Sequence, residues 1–251
     1  MVYAICDRRI PEECREALGR EGIIPLYLKA HPALSPAISS HTDILLFSDG
    51  KRLITTNKIY RENREVFDTL SKDIPTLTLS LTDDALGSEY PSDVAFCALL
   101  SGNKLFLRTE SASAELLSYA EERGLDIINV RQGYTACTSL SFGNAAITAD
   151  SGMARALEAA GLRVTRIRES EKISLPPHAN GFIGGSSGVL GKTVYFLGNL
   201  DAHPDADIIK EAIEAEGYAW RSLSPAADRL FDLGGIRFFV QSVDYNGEDG
   251  Q

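Results

Sequence analysis

The sequence has no long hydrophobic run. No uninterrupted apolar stretch in its 251 residues approaches the roughly 18 residues needed to span a bilayer. The start of the chain carries Asp7, Arg8 and Arg9 at the place where a signal peptide would have its apolar segment. We therefore expect a protein of the cytoplasm with no membrane partner.

Positive charge is also scarce. The chain has 25 Lys and Arg residues against 35 Asp and Glu residues, which gives a net charge of -10, and its basic residues form no cluster. Nucleic acids and anionic lipid surfaces are therefore not expected as partners. A cationic or neutral small molecule fits this charge better. The sequence indicates no particular oligomeric state.

Cysteine and the common binding motifs are few. The four cysteines are widely spaced and include no C-x-x-C pair: Cys6, Cys14, Cys97 and Cys137. This spacing argues against a disulfide framework and against a structural zinc site, so we expect reduced thiols and no metal. The Gly-rich segment "GFIGGSSG" lacks the G-x-G-x-x-G spacing of a phosphate loop. We expect no cofactor, and we interpret these glycines as positions where backbones pack closely.

The chain does contain an internal repeat of strand, strand, helix and strand. Four complete units are predicted, over residues 39–80, 93–130, 136–168 and 181–223. Each opens with a predicted hairpin, such as the one that turns at Ser48-Asp49-Gly50. Three of the predicted helices end in a glycine just before the next strand, as helices commonly do: Gly124, Gly161 and Gly217. A period of this length is typical of propellers and related arrays.

A fifth unit is divided between the two ends of the chain. The N-terminal part supplies a helix that ends at Gly22 and the strand "IIPLYL", and the missing hairpin is predicted over residues 229–240, with its turn at Gly234-Gly235. A closed ring explains this division, because joining first and last segments removes the open sheet edge. The sequence thus predicts an α/β fold of five ββαβ units, a pseudo-fivefold propeller closed by its terminal segments, as one domain over residues 1–251. The hairpins disfavour an open doubly wound sheet.

A ring of five such units resembles the pentein fold of the guanidine-modifying superfamily. That superfamily includes arginine and agmatine deiminases, dimethylarginine hydrolases and amidinotransferases, together with a noncatalytic ribosome anti-association factor. His41-Thr-Asp43 resembles the family's His-x-Asp motif, in which the histidine is an acid/base and the aspartate binds the guanidinium. "QGYTACTS" and "GFIGGSSG" look like segments of an uncharacterised branch. The resemblance covers nearly the whole chain and implies a hydrolase or transferase of a small guanidinium or amidinium compound.

The position of the cysteine departs from the family pattern. The enzymes place their nucleophilic cysteine late in the chain, in the unit next to the one that supplies the histidine. Here no cysteine follows Cys137, and the cysteine and the His-x-Asp motif come from the fourth and second units, counted in order from the divided unit at the N-terminus. A noncatalytic pentein domain that binds a small molecule or a protein is therefore the alternative interpretation.

Candidate site residues follow from the expected convergence of the hairpin starts on the central axis. Counting back six positions from the turns gives Asp43, Cys137 and Asp228 in one register. Asp93 begins the hairpin of another unit, and a loop precedes the Gly-rich hairpin. The predicted catalytic residues are Cys137, His41 and His178, and the predicted substrate-binding residues are Asp43, Asp93, Asn180 and Asp228.

Each residue type suits the chemistry of an amidinium carbon. A cysteine thiolate attacks that carbon when a nearby imidazolium lowers the thiol pKa, the histidine then protonates the departing amine, and carboxylates orient the planar cation. Structural interpretations remain open beside these roles. Cys137 is also compatible with a buried packing residue, His41 and Asp43 with local capping, and His178 with an ordinary loop position.

Overall fold

The computed structural model describes residues 1–84 and 86–241; residues 242–251 of the predicted domain lie outside the described residues. The first half of the chain contains β1 (Val2–Asp7), α1 (Glu12–Arg20), β2 (Ile23–Leu28), α2 (Thr42–Leu45), β3 (Phe47–Ser48), β4 (Arg52–Thr56), α3 (Asn57–Glu62), α4 (Arg64–Asp73), β5 (Thr78–Thr82), β6 (Leu99–Ser101), β7 (Lys104–Leu107), α5 (Ala114–Glu122) and β8 (Asp126–Asn129). The second half contains α6 (Thr135–Thr138), β9 (Ser139–Phe142), β10 (Ala145–Thr148), α7 (Ser151–Ala159), β11 (Arg163–Arg166), β12 (Ile173–Ser174), β13 (Ser187–Leu190), β14 (Thr193–Phe196), α8 (Ala206–Ala215), β15 (Ala219–Ser222), β16 (Leu230–Phe231) and β17 (Arg237–Val240).

Five three-stranded sheets with one common topology make up most of the described chain. In each sheet the central strand pairs antiparallel with one neighbour and parallel with the strand that follows a helix. The antiparallel neighbour is a hairpin partner in four of these sheets and the distant strand β17 in the sheet of β1. The strand orders are β17-β1-β2, β3-β4-β5, β6-β7-β8, β9-β10-β11 and β13-β14-β15, and a small parallel pair, β12-β16, lies apart. In every one of these sheets a longer helix connects the two parallel strands, as parallel pairing requires.

The helices follow from apolar residues at helical spacing. One face of α8 is buried and carries Ala206, Ile209 and Ile213, whereas Ile208 is exposed. Gly217 ends this helix region with φ of +71°, a conformation that costs glycine little. Among the described residues no helix is long and apolar enough to cross a membrane.

The prediction of a terminal hairpin over residues 229–240 is wrong. The strand β16 runs parallel to β12, whereas β17 pairs antiparallel with β1, with Tyr3 opposite Phe239. The Gly234-Gly235 segment therefore connects two different sheets. Sequence analysis missed β1, a buried strand at the start of the chain, and so assigned both hairpin strands to the other end.

The predicted strand starts also differ from the structure. Thr42–Leu45 and Thr135–Thr138 are single helical turns, so Asp43 and Cys137 lie in short helices immediately before the first strand of their hairpins. The hairpin strands are accordingly shorter than predicted. A helical turn at this place directs several consecutive polar side chains into the interior before the chain becomes extended.

Gly234 offers a sharp test of the packing between these segments. Its φ is +73°, and an added Cβ would lie 2.5 Å from His41 Cβ and 2.7 Å from His41 Cα. Gly102 and Gly191 have similar φ values of +58° and +57°, but no described heavy atom lies within 4 Å of a Cβ added there. Gly102→Ala should therefore lose only the about 1–2 kcal/mol expected from a left-handed alanine. Gly234→Ala should lose about 1–3 kcal/mol more because of steric overlap.

Urea unfolding of the two variants measures this difference. Gly191→Ala serves as a second control with the same backbone conformation. Equal losses of unfolding free energy in Gly234→Ala and Gly102→Ala would contradict the close approach at His41.

Candidate functional site

The polar centre of the molecule is built from segments that precede first hairpin strands. His41 is the N-cap residue of α2 and Asp43 lies within that turn. Cys137 lies in α6, two residues before β9, and Cys97 lies two residues before β6. Asp232 lies between β16 and β17. These five residues from four different chain segments surround one small volume, which we call the central cluster.

Short distances join the members of the central cluster. The Cys137 thiol donates to Asp43 Oδ2 at 2.5 Å, and Cys97 Sγ lies 4.0 Å from the same oxygen. His41 Nδ1 lies 4.0 Å from Asp232 Oδ1. One donor atom each of His41, Cys137 and Asp232 lie within 4.8 Å of one another. All five side chains are buried.

Burial changes the protonation of the two carboxyl groups. Desolvation raises the pKa of Asp43 to about 6, although the charge of Arg237 and the Cys137 hydrogen bond oppose this shift. Desolvation, followed by the negative charge of Asp43, raises the pKa of Asp232 to about 7. Near neutral pH the cluster therefore readily holds protons on groups that are ordinarily ionised.

The thiol and the imidazole are both electrically neutral in the free protein. Burial lowers the pKa of His41 to about 3, so its ring is uncharged at neutral pH. The pKa of the Cys137 thiol is raised, first by a hydrogen bond with Cys97, then by burial and the charge of Asp43. The predicted lowering of the Cys137 pKa by an imidazolium therefore does not occur in the free protein, because burial disfavours both charges.

Several polar atoms in the cluster have no partner. Among the described residues, neither ring nitrogen of His41 has a hydrogen bond, and Oδ1 of Asp43 also lacks one. Asp93 uses Oδ2 to accept from Tyr134 at 2.7 Å, but its Oδ1 is without a partner. A buried polar atom without a hydrogen bond costs about 1–3 kcal/mol, so these atoms indicate a site that is completed by another molecule or ion.

A cavity of about 560 Å³ connects the cluster to the surface. His41, Cys137 and Asp232 form part of its buried wall, and the exposed side chains of Glu89 and His178 lie at its outer part. Its lining residues are Ser35, Ile38, His41, Ser88, Glu89, Tyr90, Asp93, Tyr134, Cys137, Glu169, Leu175, His178, Ala179, Asn180, Phe182 and Asp232. The cavity volume suits a small molecule.

Most residues predicted for the site meet at this cavity. Cys137 and His41 line it, Asp43 lies directly behind Cys137, and Asp93, His178 and Asn180 line the remaining wall.

Asp228 is the exception, and its placement in the central cup is wrong. It is exposed and forms an ion pair with Arg229 at 2.7 Å. The count from Gly234 assumed a hairpin turn that does not exist, which shifted the assignment by one strand.

Asp232 and Cys97 belong to the central cluster but are not among the site residues predicted from the sequence. Asp232 belongs to "FDLGG", just before the true first strand β17, and a correct assignment of that strand would have placed it at the centre. Cys97 stands two residues before β6, as Cys137 stands two residues before β9. An alignment of these two units at the starts of their first strands would thus have placed Cys97 at the same position as Cys137.

The glycines of "GFIGGSSG" permit the close packing of the cluster. An added Cβ at Gly184 would lie 2.2 Å from the carbonyl oxygen of Ala136, and one at Gly185 would lie 2.0 Å from Asp232 Oδ1. Only glycine fits at such distances, so these residues bring backbone against backbone around Cys137 and Asp232.

Comparison with known proteins agrees with this fold. The model of a family of unknown function, DUF6873, matches residues 5–237. No curated protein matches the chain.

Several solved structures have a similar fold. Agmatine deiminase from C. jejuni with substrate bound has a TM-score of 0.55 at 11% identity, covering 97% of each chain. DDAH from Pseudomonas aeruginosa complexed with citrulline has a TM-score of 0.52 at 12% identity, covering 91% of this chain and 95% of that one. SxtG, an amidinotransferase from Microseira wollei, has a TM-score of 0.52 at 10% identity, covering 88% of each chain. All three are pentein proteins, and the chain has the pentein fold.

The raised pKa of Asp232 predicts a stability change that depends on pH. Between the ordinary carboxyl pKa of 3.8 and about 7, the folded protein binds more protons at Asp232 than the unfolded chain does, so this group lowers stability as the pH rises. Asp232→Asn should therefore raise the unfolding free energy at pH 8 by about 1–3 kcal/mol, a gain that shrinks as the pH falls towards 4. Oδ2 of Asp232 accepts from Phe182 N and Oδ1 accepts from Gly234 N. The single amide oxygen of the variant keeps one of these hydrogen bonds, so the gain lies at the lower end of this range.

Urea unfolding at pH 4, 6 and 8 in buffer with a chelator measures this effect. Asp228→Asn is the matched control, because Asp228 is exposed and should give no comparable gain at pH 8. A loss of stability in Asp232→Asn that is the same at all three pH values would contradict the buried, raised-pKa carboxyl.

Proposed function

The chain belongs to the family of unknown function DUF6873, and we propose that it is a pentein-like hydrolase or transferase of a small guanidinium or amidinium compound, with Cys137 as nucleophile. One observation carries the proposal: the Cys137 sulfur lies on a cavity wall, 2.5 Å from a carboxylate oxygen and within 4.8 Å of an unpartnered imidazole nitrogen. The similarity to guanidine-modifying proteins supports the same class of substrate.

We also propose the arrangement of units that creates the site. Strand β6 contacts β9, and β13 contacts both β9 and β17, so first strands of successive sheets are neighbours. The pairing of β1 with β17 joins the two ends of the described chain in one sheet. These contacts support a pseudo-fivefold propeller in which the segments before the first strands meet at the axis. A cytoplasmic location is part of the proposal, because it would keep Cys97 and Cys137 as thiols.

Binding of a cation would activate the neutral thiol. A guanidinium beside Asp43 and Asp232 supplies the positive charge that the buried carboxyls lack, and an opposite charge at such a distance typically shifts a pKa by about 1–3 units. The thiol proton then passes to Asp43 Oδ2, its hydrogen-bond acceptor, whose pKa of about 6 suits a base near neutral pH. Asp232 remains as the carboxylate that faces the cation.

The chemical steps use the remaining groups. The Cys137 sulfur forms a bond to the amidinium carbon, and the C–N bond to the leaving amine breaks. The proton that Asp43 took from the thiol passes to that amine through the neutral imidazole of His41, which accepts one proton as it donates another. Water, or a second amine in a transferase, then attacks the same carbon with His41 accepting its proton. The C–S bond breaks, and the proton that His41 accepted returns through Asp43 to the thiolate, which restores the thiol and the neutral imidazole. His178 is exposed and suits a role at the outer part of the cavity rather than at sulfur.

Labelling with a haloacetamidine tests the proposal. Chloroacetamidine should modify Cys137 at pH 6.5 faster than uncharged chloroacetamide does. The ratio of the two labelling rates should be about tenfold or more higher for Cys137 than for a free small thiol. The reason is that only the amidinium brings a positive charge to the carboxyls. Asp232→Asn should reduce this ratio, and mass spectrometry of peptides identifies the labelled cysteine.

Two variants serve as controls for the labelling. Cys137→Ser should abolish it, and Cys14→Ala should leave it unchanged, because Cys14 is buried in α1 away from the cavity. The enzymatic proposal would be contradicted by equal labelling of several cysteines. It would also be contradicted if the ratio of the two labelling rates at Cys137 equalled that of a free thiol.

A noncatalytic domain that binds a small cation is the second candidate. It is favoured by the neutral states of Cys137 and His41 in the free protein. In that case acetamidine or guanidinium would raise the melting temperature of the protein, with no selective modification of Cys137 by chloroacetamidine.

A further inference from the structure

We infer that the central cluster binds a thiophilic divalent metal ion, Zn²⁺ above all, through Cys97, Cys137, Asp43 and His41. This inference goes beyond the proposed reaction and does not depend on it, because Cys97 has no part in that chemistry. The absence of a C-x-x-C pair does not bear on such a site, since its ligands come from separate units that the fold brings together.

Donor geometry is the first argument. Donor atoms of Asp43, Cys97 and Cys137 all lie within 4.8 Å of one another, and those of His41, Cys137 and Asp232 form a second such group. Cys137 belongs to both groups. In a tetrahedral zinc site the ligand atoms are separated by about 3.5–3.8 Å, which follows from Zn–S of about 2.3 Å and Zn–N of about 2.0 Å. The two groups share only Cys137, so coordination by all four ligands requires side-chain movements that bring His41 to the same ion as Cys97 and Asp43.

Unsatisfied polar atoms are the second argument. Both ring nitrogens of His41 and Oδ1 of Asp43 are buried without a partner among the described residues. A lone cysteine or a group of carboxylates would carry little weight, but here a fully buried imidazole with a free nitrogen lies beside two thiols. Coordination would give one imidazole nitrogen a partner and would hold Asp43 through Oδ2, the oxygen that lies beside both thiols.

The chemistry of the donors selects the ion. Two thiolates, one imidazole and one carboxylate are soft and borderline ligands, which favour Zn²⁺ and disfavour Mg²⁺ and Ca²⁺. On binding, each thiol loses its proton to the buffer and forms a bond from sulfur to the metal, so no oxidant or reductant is needed. The ion can enter through the cavity, because both Cys137 and His41 line it.

Cobalt substitution tests the site without any assay of activity. The full chain is prepared without a polyhistidine tag, stripped of metal and titrated with Co²⁺, which reports its ligands by absorption. We expect thiolate-to-cobalt charge-transfer bands, d–d bands of tetrahedral intensity, and loss of both when Zn²⁺ displaces the cobalt. Zn²⁺ should also raise the melting temperature of the protein.

Cysteine variants identify the ligands. Cys97→Ala and Cys137→Ala should each weaken binding by about 100-fold or more, since the loss of even an outer partner of a metal ligand costs about 10- to 100-fold. Cys14→Ala is the matched control, a buried cysteine outside the cluster, and should bind Co²⁺ like the wild type. Circular dichroism checks that each variant is folded. Cys97→Ser, of nearly unchanged volume, replaces Cys97→Ala if the latter fails to fold.

Three results would overturn the inference. They are no binding of Co²⁺ or Zn²⁺ at millimolar concentration, a cobalt spectrum without thiolate bands, and wild-type affinity in the folded Cys97 variant. The outcome is separate from that of the enzymatic proposal. Metal binding without amidine labelling supports the metal site and refutes the enzyme, whereas labelling without metal binding does the reverse. If both occur, bound Zn²⁺ should block labelling of Cys137.

Discussion

The burial of two carboxyl groups beside one thiol is the constraint on which the rest of the structure depends. Asp43 and Asp232 lie out of water, and the charge of Arg237 only partly offsets the cost of ionising Asp43. Full ionisation of the cluster in the free protein is therefore unfavourable, and its members share protons instead. Anything positive that enters the cavity, an organic cation or a metal ion, lowers the energy of the charged forms. In the proposed function, the binding of a cation and the activation of the thiol thus have the same electrostatic cause.

Close backbone packing is what makes this burial possible. Gly184, Gly185 and Gly234 stand where any side chain would collide with the backbone or side chains of the cluster. Stability must therefore come from elsewhere, namely the three-stranded sheets and the helices that cover them, whose apolar side chains fill four buried groups. The surrounding sheets and helices, and not contacts within the central cluster, keep the polar side chains in place. Such support by the surrounding structure is common at functional sites.

Local patterns in the sequence were sufficient for the elements but not for every partner. In each of the four complete units the order of hairpin, helix and strand could be predicted, because turn residues and helical periodicity are local signals. The true partner of β17 is β1, at the far end of the chain, and no local signal distinguishes that pairing from a hairpin at Gly234-Gly235. The misplacement of Asp228 and the omission of Asp232 both follow from this one nonlocal pairing.

Protonation was the other property that the sequence could not supply. The pattern His41-Thr-Asp43 suggests a charged imidazole, but the charge depends on solvent exposure, which is set by tertiary packing. With His41 fully buried, its pKa of about 3 leaves a neutral ring. The base nearest to the thiol is consequently Asp43, whose own pKa is raised by the same burial. Burial is thus the reason why Asp43, and not His41, is the base nearest to the thiol, although residue types alone would assign that role to the histidine.

The repeated architecture also explains why the position of a cysteine along the chain need not fix its role. Cys97 and Cys137 each stand two residues before the first strand of successive units, and both reach the same carboxylate, Asp43. In the proposed ring of five units, equivalent positions face the same axis from different directions. A thiol from the fourth unit can therefore meet the imidazole of the second across the centre, without adjacency of the two units. What matters is which side chains the cavity reaches, and it reaches Cys137 and His41 together.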